Sequence, residues 1–127
     1  MSLAPIALTC GEPAGVGPEL AVAARHHLGA ALPFFWIGDP RHLPPGTVLT
    51  EIDNPAAAAA VPAGRLPVLA HPFPAPATPG RPEPANAAAT IAVIERAVAL
   101  VRSGVASALC TAPIHKKALK DGAGFAF

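Results

Sequence analysis

Tyrosine is absent from this chain and tryptophan occurs once, alongside five phenylalanines. Few large side chains are available for burial, and the 52% of hydrophobic residues overstates the core because 30 of the 127 residues are alanine. Packing is expected to rest on Ile, Leu and Val. Charge is also scarce: nine Lys and Arg against eight Asp and Glu leave a net charge of +1. That gives no basic footprint for nucleic acid and no acidic tail, so a small neutral-to-anionic ligand is the better expectation. The two cysteines, Cys10 and Cys110, are too few and too isolated for a disulfide framework or a zinc site. Each falls near the end of a predicted strand and reads as a small buried thiol in a reducing compartment. No stretch reaches the roughly 18 apolar residues of a membrane span, and no basic region followed by a long apolar one opens the chain. The expectation is a soluble, cytoplasmic protein without a membrane partner.

What the chain does have is a strand, a glycine-bearing turn and a helix start within its first twenty residues. Residues 6–9 form a short apolar run without polar alternation, as in a strand buried on both faces, and Gly11 ends it. Pro18 suits the first helical position, and Glu19 places a carboxylate in a first turn that favours negative charge. Gly11, Gly15 and Gly17 between them permit positive φ and leave backbone bare for a ligand. The spacing Gly-x-x-x-Gly-x-Gly is not the dinucleotide fingerprint Gly-x-Gly-x-x-Gly. On pattern alone this is either a tight strand-to-helix turn or a place for an anion at a helix N-terminus.

Further along, a helix is predicted over residues 18–28, with Leu20, Ala23, Ala24 and Leu28 as its apolar stripe, Gly29 as its stop and Arg25, His26 and His27 as a solvated last turn. Residues 34–38 read as a second buried strand closed by Asp39-Pro40. Residues 40–84 hold 12 of the 17 prolines and an alanine run, and form an irregular connecting region with short strands near 47–52 and 66–71 and an extended segment over 72–84. The spacing of Ile91, Ile94, Val98 and Val101 predicts a helix over 86–103. A strand over 106–110 and a short helix over 114–120 follow. Alternation of strands and helices argues for an α/β fold: three layers, a mostly parallel sheet with helices on both faces, and ligands beyond the carboxyl ends of the strands. The turn after the first strand and the segment after the last would then meet at one edge.

Two stretches carry a family resemblance. Gly11-Glu12-Pro13-Ala14-Gly15-Val16-Gly17-Pro18-Glu19 resembles the opening motif of the 4-hydroxythreonine-4-phosphate dehydrogenase family, and more loosely that of isocitrate and isopropylmalate dehydrogenases. Thr111-Ala112-Pro113-Ile114-His115-Lys116-Lys117-Ala118-Leu119, with Ala123-Gly124-Phe125, is similar to the same family's segment leading towards a Gly-His-Thr substrate motif. The resemblance implies an isocitrate/isopropylmalate dehydrogenase-like fold and a homodimer using NAD and a divalent metal (Zn, Mg or Co). It implies oxidation of the secondary alcohol of 4-phosphonooxy-threonine, then loss of carbon dioxide to give 3-amino-2-oxopropyl phosphate for pyridoxal phosphate synthesis. It also implies that residues 1–127 are the N-terminal portion of a larger enzyme, inactive alone, because the Gly-His-Thr motif and the family's later metal histidines have no counterpart here. No metal ligand is expected in this chain.

Of the residues present, Gly11, Glu12, Gly15, Gly17, His115 and Lys116 are the candidates for substrate or cofactor contact. Glu12 either orients substrate or a metal-bound water, or is satisfied by the N–H groups of the next helix. Lys116 either binds a phosphate or is one exposed member of a lysine pair. His115 reads as a packed or surface histidine beside it. Asp39 is either an acidic ribose contact or a turn opener. Two other functions fit the same residues: a related decarboxylating dehydrogenase of another phosphorylated hydroxy acid, and a non-catalytic anion-binding or assembly module.

Overall fold

The computed structural model describes residues 4–126. Five strands, β1 (Ile6–Thr9), β2 (Phe34–Gly38), β3 (Leu49–Glu51), β4 (Leu66–Ala70) and β5 (Ala108–Thr111), form one sheet in the order β3-β4-β2-β1-β5, and every pairing is parallel. Three α-helices accompany them: α1 (Gly17–Leu28), α2 (Ala87–Arg102) and α3 (Lys116–Ala123). The connection through α1 leads from β1 towards the β3 edge, and the one through α2 leads from β4 to the opposite edge. Right-handed crossovers running in opposite directions put their helices on opposite faces, which makes the three layers. The α/β fold expected from the alternation of elements is the one observed.

The core is built differently from the composition-based expectation. All five residues of β2 are buried, and the largest fully buried side chains are Trp36 and Phe35, followed by Ile37. Three of the six aromatic residues, Phe34, Phe35 and Trp36, lie on the central strand, where each contributes about 1.5–3 kcal/mol by burial. The helices also turn otherwise than their apolar stripes suggest. α1 buries Ala21 and Arg25, while Leu20 is 50% exposed; α2 buries Thr90, Val93 and Ala97, while Val98 lies outward. Small residues face the sheet because a helix on a sheet packs closely, and the bulkier stripes point to surface that this chain leaves uncovered.

Arg25 is not a solvated helix end. It is 5% exposed, and its guanidinium donates to four carbonyls, those of Arg65, Gly29, Val61 and Pro62, tying the end of α1 to the loop before β4. His26 and His27 are exposed, as expected. The thiols differ from each other. Burial pushes Cys10 up to about 12, which keeps it a neutral, inert thiol, whereas Cys110 is exposed on the edge strand β5.

Several boundaries shift for local reasons. β5 begins at Ala108, not 106, because the N–H groups of Val105 and Ala106 both donate to Leu100 O and hold those residues in the turn that ends α2. α3 begins at Lys116, not 114, because His115 has an extended backbone and its Nδ1 accepts the Ala118 N–H as the cap. The alanine run forms a 3₁₀ turn, Pro55–Ala60, capped by Asn54. One helical stretch of 19 residues, Pro84–Arg102, has the length and composition to cross a membrane, but it packs on the sheet through Thr90, Val93 and Ala97 and hydrogen-bonds Ala70 O through Arg96.

Candidate functional site

In this topology the chain leaves β1 towards one edge of the sheet, while β5 pairs with β1 on its other side. The reversal of strand order therefore falls between β1 and β5. In doubly wound sheets the crevice beyond the carboxyl ends at such a point receives the ligand. Both family-type motifs sit there, joined by a hydrogen bond from the Glu12 N–H to Pro113 O at 2.9 Å.

The three glycines turn out to have different tasks. Gly11 has φ +65°, and a Cβ there would lie 2.9 Å from Ala112 and still nearer to Pro113 O. Gly17 packs against Cys10 O and the Ala112 methyl, which a Cβ would meet at 3.0 Å. These two let the loops close on each other and do not bare backbone for a ligand. Of the three, Gly15 alone is exposed, and a Cβ there would have Glu12 O at 3.3 Å as its nearest neighbour.

Glu12 is buried, and its Oε1 accepts the Ala14 N–H at 3.1 Å. The donor comes from the turn itself and not from the following helix, so the capping reading of Glu12 is corrected to a turn-stabilising one. No side chain caps α1 at Val16. His115 is exposed; because its Nδ1 accepts from Ala118, the neutral ring carries its proton on Nε2. Lys116 is exposed at the first position of α3, and Lys117 pairs with Asp121 at 2.7 Å.

The two loops touch, as expected of segments at one edge, but open onto different clefts. Gly15, Pro13, Pro18 and Glu19 face Arg41 and Pro79 across a cleft of about 340 Å³. His115 and Lys117 line another of about 210 Å³ with Pro82 and Pro84. The proline-rich connection accounts for this: the Gly80 N–H donates to Ala14 O, laying the 72–84 segment beside the first loop.

Arg41 and His42 on the first cleft are absent from the sequence-based candidates, and their only signal was position just after a buried strand. His42 is 7% exposed and bonds Ala75 O through Nε2 at 2.9 Å. Asp39 opens the turn after β2: its carboxylate accepts from the Arg41 guanidinium and from the Arg41 and Phe73 N–H groups. Burial raises the Asp39 carboxyl, but the Arg41 side chain and the two N–H groups outweigh it and bring the pKa to about 2. A depressed carboxyl contributes stability above its unfolded value and loses it as pH falls through the folded one. Asp39→Asn is therefore expected to cost about 1–2 kcal/mol at pH 7, allowing for screening at the exposed Arg41. In urea titrations the two proteins should converge between about pH 4 and pH 2; a constant difference across that range would remove the assignment.

Among the described residues no three His, Cys, Asp or Glu are grouped to hold a metal ion. A parallel sheet with a glycine turn and a capped helix start meeting at its reversal point defines an α/β domain of the doubly wound class. The family model for pyridoxal phosphate biosynthetic protein PdxA matches residues 22–127, and the chain belongs to this family. It is 61% identical over 122 residues to a 4-hydroxythreonine-4-phosphate dehydrogenase of Roseobacter denitrificans, covering 96% of this chain and 37% of the relative. The corresponding protein of Paracoccus denitrificans is 59% identical over 123 residues, with 97% and 37% covered. The crystal structure of the 4-hydroxythreonine-4-phosphate dehydrogenase of Klebsiella pneumoniae matches with a TM-score of 0.80 at 31% identity, covering 94% of this chain and 40% of that one. The chain thus spans somewhat over a third of the length of these relatives.

Proposed function

We propose that this chain supplies the N-terminal part of the substrate crevice in an NAD- and divalent-metal-dependent 4-hydroxythreonine-4-phosphate dehydrogenase, a cytoplasmic homodimer. The observation that carries the reading is the meeting of the Gly11–Gly17 loop with Pro113, two residues before the His115 cap of α3, at the reversal of the sheet. The name shared by the relatives supports this substrate over another phosphorylated hydroxy acid.

The described residues assemble no set of metal ligands, and Asp39 is already engaged by Arg41 and Phe73, so no step through metal or NAD is assigned to them. Their part is binding. Lys116, exposed at the first position of α3, is the cation assigned to a phosphate or carboxylate of the substrate. Glu12, fixed by Ala14, holds the first loop in shape.

The test is a chimera in which this chain replaces the matched segment of the Roseobacter denitrificans relative. NADH formation from 4-phosphonooxy-threonine is the readout, and turnover is expected. Lys116→Ala should raise KM about tenfold, the loss of one charge-assisted hydrogen bond of about 1.5 kcal/mol. Gly15→Val should lower turnover by narrowing the loop mouth. A folded chimera without turnover, or full activity in both variants, would overturn the proposal.

A further inference from the structure

Between Ala75 and Asn86 the chain makes a loop that is fixed at its ends and at its apex. The buried Asn86 side chain accepts the Ala75 N–H at 3.0 Å and donates to Ala75 O at 3.1 Å, and His42 Nε2 donates to the same carbonyl. At the apex, Thr78-Pro79-Gly80-Arg81 forms a tight turn in which the Arg81 N–H donates to Thr78 O and Gly80 has φ +78°. Proline at the second position and a left-handed glycine at the third suit a type II turn. The Gly80 N–H then donates to Ala14 O at 2.9 Å, which fastens the apex to the Gly11–Gly17 loop. Pro76, Pro79, Pro82 and Pro84 stiffen the whole segment.

This turn stands between the two clefts of the site. Ala77 and Pro79 line the cleft that holds Gly15 and Arg41, and Pro82 and Pro84 line the one that holds His115 and Lys117. Arg81 comes between them in the chain and is exposed, and its guanidinium has no partner among the described residues. Arg25, Arg41, Arg65 and Arg96 are all bonded within the chain. Arg102, also exposed and without a partner, ends α2 at the amino end of the sheet, away from the clefts. Glu83, the acid nearest to Arg81 in sequence, is taken up by its own turn, where it accepts the Ala85 N–H.

We propose that Arg81 is a phosphoryl-binding residue of the crevice, its guanidinium donating to two oxygens of one phosphoryl group. The backbone that carries it is already ordered, so binding does not have to order the turn. A planar fork of donors matches two such oxygens, which a single ammonium does not. Exposed charges are heavily screened, so the most highly charged groups of a ligand gain most from this position. The inference rests on the dehydrogenase reading, in which two reactants carry phosphoryl oxygens: the monoester of 4-phosphonooxy-threonine and the pyrophosphate of NAD.

The experiment uses the chimera described above with Arg81→Ala, Arg81→Lys and, as a control, Arg102→Ala. Steady-state kinetics give kcat and KM for 4-phosphonooxy-threonine and for NAD, and calorimetric titration gives Kd for each. Arg81→Ala is expected to raise KM and Kd for one of the two about tenfold or more, with kcat within about twofold and the melting temperature unchanged. Arg81→Lys should recover part of the loss, and Arg102→Ala should match the unsubstituted protein. A rise for 4-phosphonooxy-threonine assigns the guanidinium to the monoester, and 4-hydroxythreonine, which lacks the phosphate, should then bind both proteins equally. A rise for NAD assigns it to the pyrophosphate. Unchanged constants for both reactants, a loss confined to kcat, or equal weakening of 4-hydroxythreonine would overturn the inference. A folded chimera that binds the reactants without turning them over would overturn the dehydrogenase reading alone, since the Kd values still decide the role of Arg81.

Discussion

Arg25→Met is expected to destabilise the fold by about 3–5 kcal/mol. The methionine matches the stem of the side chain but leaves the carbonyls of Arg65, Gly29, Val61 and Pro62 without their donor, and buried acceptors left unpaired cost about 1–3 kcal/mol each, less than additively. Against a total stability of about 5–15 kcal/mol for a domain, this is a large share. Arg25→Lys should recover little, because one ammonium cannot reach four carbonyls arranged around a planar fork. Urea unfolding of the three proteins measures the effect. A loss under about 1 kcal/mol in Arg25→Met would mean that the α1 terminus and the loop before β4 hold together without the clamp.

Gly11→Ala should be nearly as damaging, at about 3 kcal/mol, and Gly15→Ala nearly silent. At Gly11 the added methyl meets a left-handed backbone and the Ala112–Pro113 backbone within 2.9 Å, so strain and overpacking act together. Rigid backbone on both sides gives no room for relief. At Gly15, φ is not in the left-handed region and the nearest atom is 3.3 Å away. Thermal unfolding of the pair separates the two cases, and equal melting temperatures would show that the contact between the first loop and Pro113 does not hold the site together. The comparison also bears on function: a glycine needed for loop-to-loop contact is a scaffold residue even inside a binding motif.

The alternation of apolar runs with helical spacings was enough to read the α/β class, β2 at its observed limits and the parallel sheet, because strand burial and helix periodicity are local properties of sequence. The two motifs, through their order and chemistry, identified the family and located the candidate site at the carboxyl ends of β1 and β5. Which face of each helix meets the sheet was not legible: α1 and α2 carry apolar residues on more than one side, and only packing selects Ala21 and Val93 over Leu20 and Val98. Nor was the role of Arg25, whose four partners lie up to 40 residues away. The three glycines look alike in sequence, yet Gly11 and Gly17 are fixed by loops brought together from opposite ends of the chain, while Gly15 is not. Sequence by itself determined the elements and the chemistry at their ends. The tertiary structure decided which side chains face inward and which glycines are irreplaceable, because each depends on contacts between segments far apart in the chain.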